Sequence, residues 1–142
     1  MKEIAGVIYP VPKQFVNRLL DEKRNVFVKY IPKVSNVKIA PKQKVLFYES
    51  RGSKEIVGEG RIEKILFLTA SEALEKYGNL LFLNRDELTE YSLAQPKRNP
   101  SKKMLVLVLS KLNRYRDPKK FKKPINMNGQ YLSPEEYEEL FT

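Results

Sequence analysis

A chain of 142 residues with 42% hydrophobic content is sized for one folded domain, and a net charge of +10 makes it strongly basic. It contains no cysteine and no histidine, which excludes disulfides, Cys/His zinc sites, cysteine nucleophiles, Ser-His-Asp triads and histidine proton shuttles. Any catalysis rests on Lys, Asp, Glu, Tyr, Ser or Thr, and no metal or cofactor is expected.

In chain order, Glu3 to Tyr9 reads as a short strand ended by Pro10 and Pro12. With no long apolar core before those prolines, the N-terminal stretch does not read as a signal peptide. Lys13 to Lys23 reads as a helix, because Phe15, Val16, Leu19 and Leu20 form an apolar stripe at helical spacing. Asn25 to Tyr30 is strand-like, and a Pro-punctuated loop from Pro32 to Pro41 leads to a strand over Lys44 to Ser50. Arg51-Gly-Ser-Lys54 predicts a hairpin turn into the run EIVGEGRIEKILFL, with Gly52 supplying unusual backbone angles. Gly58 and Gly60 within that run mark a bulge or a barrel corner.

Thr69 with Glu72 is a capping box that opens a helix stopped by Gly78, and Asn84 with Glu87 opens another that ends near Ser92. Gln95 to Lys103 is a polar loop. Met104 to Leu112 is nearly continuous in apolar residues and reads as a central strand. The longest fully apolar run there, Met104 to Leu109, is far short of a membrane span, so a cytoplasmic protein is expected. A basic tail, a turn at Asn128-Gly129 and a helix near 133–141, opened by Ser133-Pro134-Glu-Glu136, complete the chain. Five or six strands with three or four short helices predict an α+β fold whose strands curl into a small barrel.

The charge is localised. Residues 97–123 hold eleven Lys/Arg and one acid, Asp117, while the remainder sums to zero. Concentrated positive charge is the footprint of a polyanion partner. RNA is the expected partner, DNA the alternative, and no membrane surface is implied. Arg114, Tyr115 and Arg116, with Lys119, Lys120, Lys122 and Lys123, mix cations with Tyr115 and Phe121. That pattern suits a single strand, whose bases stack while its phosphates are neutralised. Lys97 and Arg98, with Lys102 and Lys103, form a second basic loop at the other end of the strand. The two clusters make either one track or two separate contacts.

Several segments together resemble the PUA-like superfamily, which includes the ASCH and EVE domains. They are the opening strand, the helix ending LLDEKRNVFVKY, the KVLFYES–IVGEGRI hairpin and the late strand MLVLVL with its trailing PI segment. The resemblance covers nearly the whole chain and is similar, more narrowly, to an archaeal family of uncharacterised PUA-like proteins. It implies one PUA-like domain over 1–142, a small mixed β-barrel, and a cleft beside it that takes RNA or a modified or unpaired base. ASCH domains carry a G-x-K-x-x-E-x-R motif at the end of the first helix. Here Lys23 matches the lysine, Asp21 stands at the glycine, and Val26 and Val28 occupy the Glu and Arg positions. A shift by one residue puts Lys29 in the arginine slot.

This resemblance, with the residue types, nominates Lys23, Arg24, Asn25 and Lys29 to grip a phosphate or base edge. Tyr48, Ser50, Arg51 and Lys54 would form an adjoining wall for an unpaired base. Some small ASCH proteins are amidohydrolases acting on acetylated cytidine through a Lys, a Thr and a Glu. Lys23 is then the candidate lysine and Glu49 or Glu59 the acid, while Val26 stands where the threonine would be. A non-enzymatic binder is the leading expectation, and a small nucleic-acid- or nucleoside-acting hydrolase is the alternative. The acids Glu135, Glu136, Glu138 and Glu139 are expected to cap the last helix and to mask the basic tail from within.

Overall fold

The computed structural model describes residues 3–31, 37–93 and 102–142. The β-branched and aromatic runs become six strands: β1 (Gly6–Val11), β2 (Val26–Lys29), β3 (Lys44–Glu49), β4 (Ile56–Leu68), β5 (Met104–Lys119) and β6 (Gln130–Leu132). Among the described residues four α-helices accompany them: α1 (Lys13–Leu20), α2 (Ala70–Tyr77), α3 (Arg85–Leu93) and α4 (Pro134–Glu139). The strands make one mixed sheet in the order β2-β5-β4-β3-β1-β6. β1 and β3 pair parallel, and all other neighbours pair antiparallel. The α+β class is as expected. The sheet curls into a half-barrel rather than closing, with β2 and β6 as its two edges.

Because side chains alternate along a strand, the sheet has two apolar faces. Val7, Tyr9, Val45, Phe47, Val57 and Phe27 face the main core, where Val16, Leu19 and Leu20 of α1 and Leu88 of α3 pack on them. Ile8, Leu46, Ile56, Tyr115 and Leu132 face the other way, into a smaller core closed by Phe121, Ile125, Tyr137 and Leu140. α1 sits close to the sheet at Gly58: a Cβ there would lie 2.5 Å from a methyl of Leu20 and 2.6 Å from the Asn113 carbonyl oxygen. The β3–β4 register also shifts beside this glycine, as its place in the run predicts.

Several elements differ from the sequence reading. β1 continues through Pro10 to Val11, because β6 covers β1 only from Gly6 to Ile8 and leaves Pro10 with no ladder on that side. α1 stops at Leu20 rather than Lys23, since Lys23 adopts a left-handed backbone (φ 56°). β5 extends past Leu112 to Lys119, so much of the expected basic tail is strand. β6 is only three residues long and was not foreseen. No helix among the described residues is long and apolar enough to cross a membrane.

Candidate nucleic-acid interface

The end of β1 delivers Pro10, Val11 and Pro12, and Pro12 sets α1 so that Phe15 lies on its first turn. Phe15 meets Phe82 edge-on with ring centroids 6.1 Å apart, Phe82 stacks on Phe27 at 4.9 Å, and Phe27 stacks on Tyr9 at 5.2 Å. Arg18 bolts this wall together. Its guanidinium lies 5.3 Å from the Phe15 centroid, donates to the Phe82 carbonyl at 3.2 Å, and forms a two-pronged pair with Glu87. Glu87 also closes the α3 capping box by accepting from the Asn84 N–H at 2.8 Å. The hydrogen bond from Arg18 holds the Glu87 carboxyl below the usual carboxylate range against the opposing effect of burial.

In front of this wall opens a cleft of about 540 Å³, with Phe15, Phe27, Phe82 and Leu83 as apolar surface. Lys29, Arg51, Glu90 and Tyr91 supply its polar groups. Lys29 reaches it from the end of β2, its ammonium 5.6 Å from the centroid of Tyr9. Burial raises the pKa of the Tyr9 hydroxyl, which lies in the core behind the cleft. The Tyr91 hydroxyl accepts from the Tyr30 N–H at 2.9 Å and ties α3 to the end of β2. Arg51 comes from the β3–β4 hairpin tip, whose form is imposed by a buried acid. Glu49, 5% exposed, accepts from the Ser53 N–H at 2.9 Å, and a Cβ on Gly52 (φ +151°) would stand 2.1 Å from that carboxylate. Only glycine fits there.

A family model for a domain of unknown function, DUF365, matches residues 4–134. The chain belongs to the DUF365 family. It is 32% identical over 103 residues to the uncharacterised protein MJECS03 of Methanocaldococcus jannaschii, covering 68% of this chain and 95% of that one. Among solved structures, the ASCH protein of Zymomonas mobilis superposes with a TM-score of 0.78 at 17% identity, over 96% of this chain and 94% of that one. The N-terminal domain of Staphylothermus marinus McrB gives 0.59 at 13% identity, over 99% and 97%. These likenesses show the fold, and the PUA-like, ASCH-like architecture expected of the sequence is the one this DUF365 chain has.

Of the nominated residues, the cleft brings together Lys29 and Arg51. Ser50 lies next to Arg51 and donates its backbone N–H to Val11 at the rim. Lys54 stands at the same hairpin tip, exposed and left-handed (φ 58°). The others lie elsewhere. Lys23 donates to the Leu112 carbonyl at 2.8 Å, Asn25 donates to the Leu109 carbonyl at 3.0 Å, and Arg24 pairs with Glu22. Those three tie the end of α1 to its surroundings and to β5.

Tyr48 packs into the smaller core on the opposite face of the sheet, so it does not wall the cleft. Tyr115 is buried there as well, edge-on to Phe141, which leaves no open ring face for a base. Glu59, the sequence's other candidate acid, sits beneath it at 7% exposure and accepts from Tyr115 at 2.8 Å, Tyr137 at 2.6 Å and Lys44 at 2.8 Å. Burial, and then this carboxylate, pushes both phenols' pKa values up.

Arg114 binds Asp21 and Asn17 of α1, while Lys122 and Lys123 pair with Glu139 and Glu136 of α4, the internal masking expected of those acids. Arg116, Lys119 and Lys120 lie along the end of β5 and just beyond it. Lys97 and Arg98 lie outside the described residues. Phe15, Phe82, Glu90 and Tyr91 were missed as site residues. The only sequence signal near them was the Asn84–Glu87 capping box, which fixes where α3 starts but not what it faces.

Proposed function

We propose that the protein is a nucleic-acid-binding module that takes one unpaired base of single-stranded RNA into the cleft beside the half-barrel. The observation that carries this reading is the cleft itself: about 540 Å³, aromatic on its walls, with two cations at its edge. Ligand sites of this size are mostly apolar, with a few convergent polar groups that fix orientation. A flipped base would lie against Phe15, the half-buried ring of the wall, with Glu90 and Tyr91 at its edge and its phosphates toward Lys29 and Arg51. The fold shared with an ASCH protein supports the reading at the level of architecture.

Fluorescence-anisotropy titration of a labelled single-stranded RNA tests it. Lys29→Ala and Arg51→Ala should each weaken binding by about tenfold, the effect of one lost charge-assisted contact. Affinity unchanged in both variants would leave the cleft without this role.

A second reading follows from Lys29 and Glu90 lining one cleft: an ASCH-like amide hydrolase acting on an acetylated cytidine. Glu87 is a weaker candidate acid, because its oxygens are committed to Arg18 and to the cap. Release of cytidine from acetylcytidine by the wild type, lost in Glu90→Gln, would favour the hydrolase.

A further inference from the structure

The described cations of residues 97–123 do not form one surface, and the strand register shows how they divide. Arg51 lines the cleft and begins the hairpin tip. Antiparallel pairing places Ile56, two residues after Lys54, opposite Lys119 of β5, so Lys120 continues toward the tip. Between the pairs Gly58↔Arg114 and Ile56↔Lys119, β4 advances two residues while β5 advances five. The three surplus residues form a bulge, a device that re-aims side chains near binding sites. Within it Tyr115 turns into the smaller core while Arg116 and Asp117 stand exposed. The tip and the bulge therefore bring Arg51, Lys54, Arg116, Lys119 and Lys120 to one end of the sheet, against the acids Glu55 and Asp117.

The neighbouring cations are held by carboxylates, whereas Lys119 on the path only rests against the Phe141 ring, its ammonium 5.5 Å from the centroid. Lys122 lies 2.7 Å from Glu139, Lys123 2.8 Å from Glu136, and Arg114 3.0 Å from Asp21. A phosphate competing for these would first have to displace a carboxylate.

We propose that single-stranded RNA leaves the cleft mouth at Arg51, crosses the hairpin tip at Lys54 and runs along the bulged end of β5 over Arg116, Lys119 and Lys120, bypassing Lys122 and Lys123. This deepens, and rests on, the reading of the cleft as a base site. It gives the strand a direction and divides a run of lysines that composition treats as equivalent. Cations that neutralise phosphates release counterions, so each contact on a single strand contributes about −0.7 to the slope of log K against log salt. Lys29 and the five cations of the path make six contacts, which give about −4.2.

The test is anisotropy titration of a labelled ten-nucleotide oligouridine at four salt concentrations. It compares the wild type, Arg116→Ala/Lys120→Ala, Lys122→Ala/Lys123→Ala, and Lys29→Ala. The Arg116/Lys120 variant should flatten the slope by about 1.4, two contacts' worth, while the Lys122/Lys123 variant leaves it at the wild-type value. An unchanged slope in the first, or an equal flattening in the second, overturns the path. If Lys29→Ala weakens binding and Arg116→Ala/Lys120→Ala does not, the path fails and the cleft reading stands. If the reverse holds, the cleft reading fails, and the path is overturned with it because its start at the cleft mouth is lost. Absence of binding at the lowest salt overturns both.

Discussion

The two faces of the sheet carry the same kinds of residue put to opposite uses. On one, Lys29, Arg51, Glu90 and Tyr91 surround open volume. On the other, Glu59, Lys44, Tyr115 and Tyr137 surround one another, with the Glu59 carboxylate accepting from all three partners. Lysine, carboxylate and tyrosine are found in both places. The difference lies in what closes them. The smaller core is sealed by α4 and residues 121–125, so its charged groups lock the C-terminal segment onto the sheet. The cleft is bounded by aromatics braced by Arg18 and stays open between them. A polar cluster becomes a binding candidate through its unfilled neighbourhood, not its residue types.

Breaking the closed cluster should have the largest effect. Glu59→Ala removes the acceptor of two tyrosine hydroxyls and one ammonium, and should cost about 3 kcal/mol in urea unfolding. Lys44, whose side chain is 36% exposed, regains water and keeps the loss at the lower end for a buried pair. Glu90→Ala, in the open cleft, should stay within about 0.5 kcal/mol of wild type. Similar losses in the two variants would erase the distinction between the faces.

Tyr48→Ala sharpens the same contrast. Truncating a half-buried aromatic of the smaller core should cost about 2 kcal/mol of stability. RNA affinity of the folded fraction should not change, in contrast to the equally aromatic, half-buried Phe15 in the cleft. Loss of affinity at full stability would return Tyr48 to the binding surface.

The cleft's rear support gives a pH test. Arg18 holds the folded-state pKa of Glu87 below its ordinary 4.5. A depressed carboxylate stabilises the fold in full above its unfolded value and loses that contribution as pH falls through the folded value. Glu87→Gln keeps the capping box but not the ion pair. It should lie about 1.5 kcal/mol below wild type at pH 7, with side chains only 22% and 23% exposed. That gap should narrow at pH 3. A constant gap would place the contribution outside the ion pair.

Much of the architecture was legible because local chemistry decides it. Thr69 with Glu72 and Ser133 with Glu136 form the capping boxes their spacing predicts. The hairpin turns at Arg51 to Lys54, and the Asn128-Gly129 turn forms with Gly129 at φ 108°. What escaped depends on partners distant in sequence. The run NRYRDPK after Leu112 reads as a basic tail because its charges are dense, yet pairing with β4 makes it strand and buries Tyr115.

The cleft was half legible for the same reason. Lys29 and Arg51 stand out as cations beside strands. Phe15, Phe82 and Tyr91 look like ordinary core residues until β1, α1 and α3 converge. Lys23 drew attention through its likeness to a motif lysine, whereas its backbone is left-handed just past the end of α1 and its ammonium donates to the Leu112 carbonyl, tying that end to β5.

The most direct test is an amide chemical-shift titration of the isotope-labelled protein with a short single-stranded RNA. We predict that the largest shifts fall on Phe15, Lys29, Arg51, Phe82, Glu90 and Tyr91, while the amides of Lys44, Glu59 and Tyr137 stay fixed. Shifts concentrated around Glu59 and α4, with the cleft amides unmoved, would contradict the account.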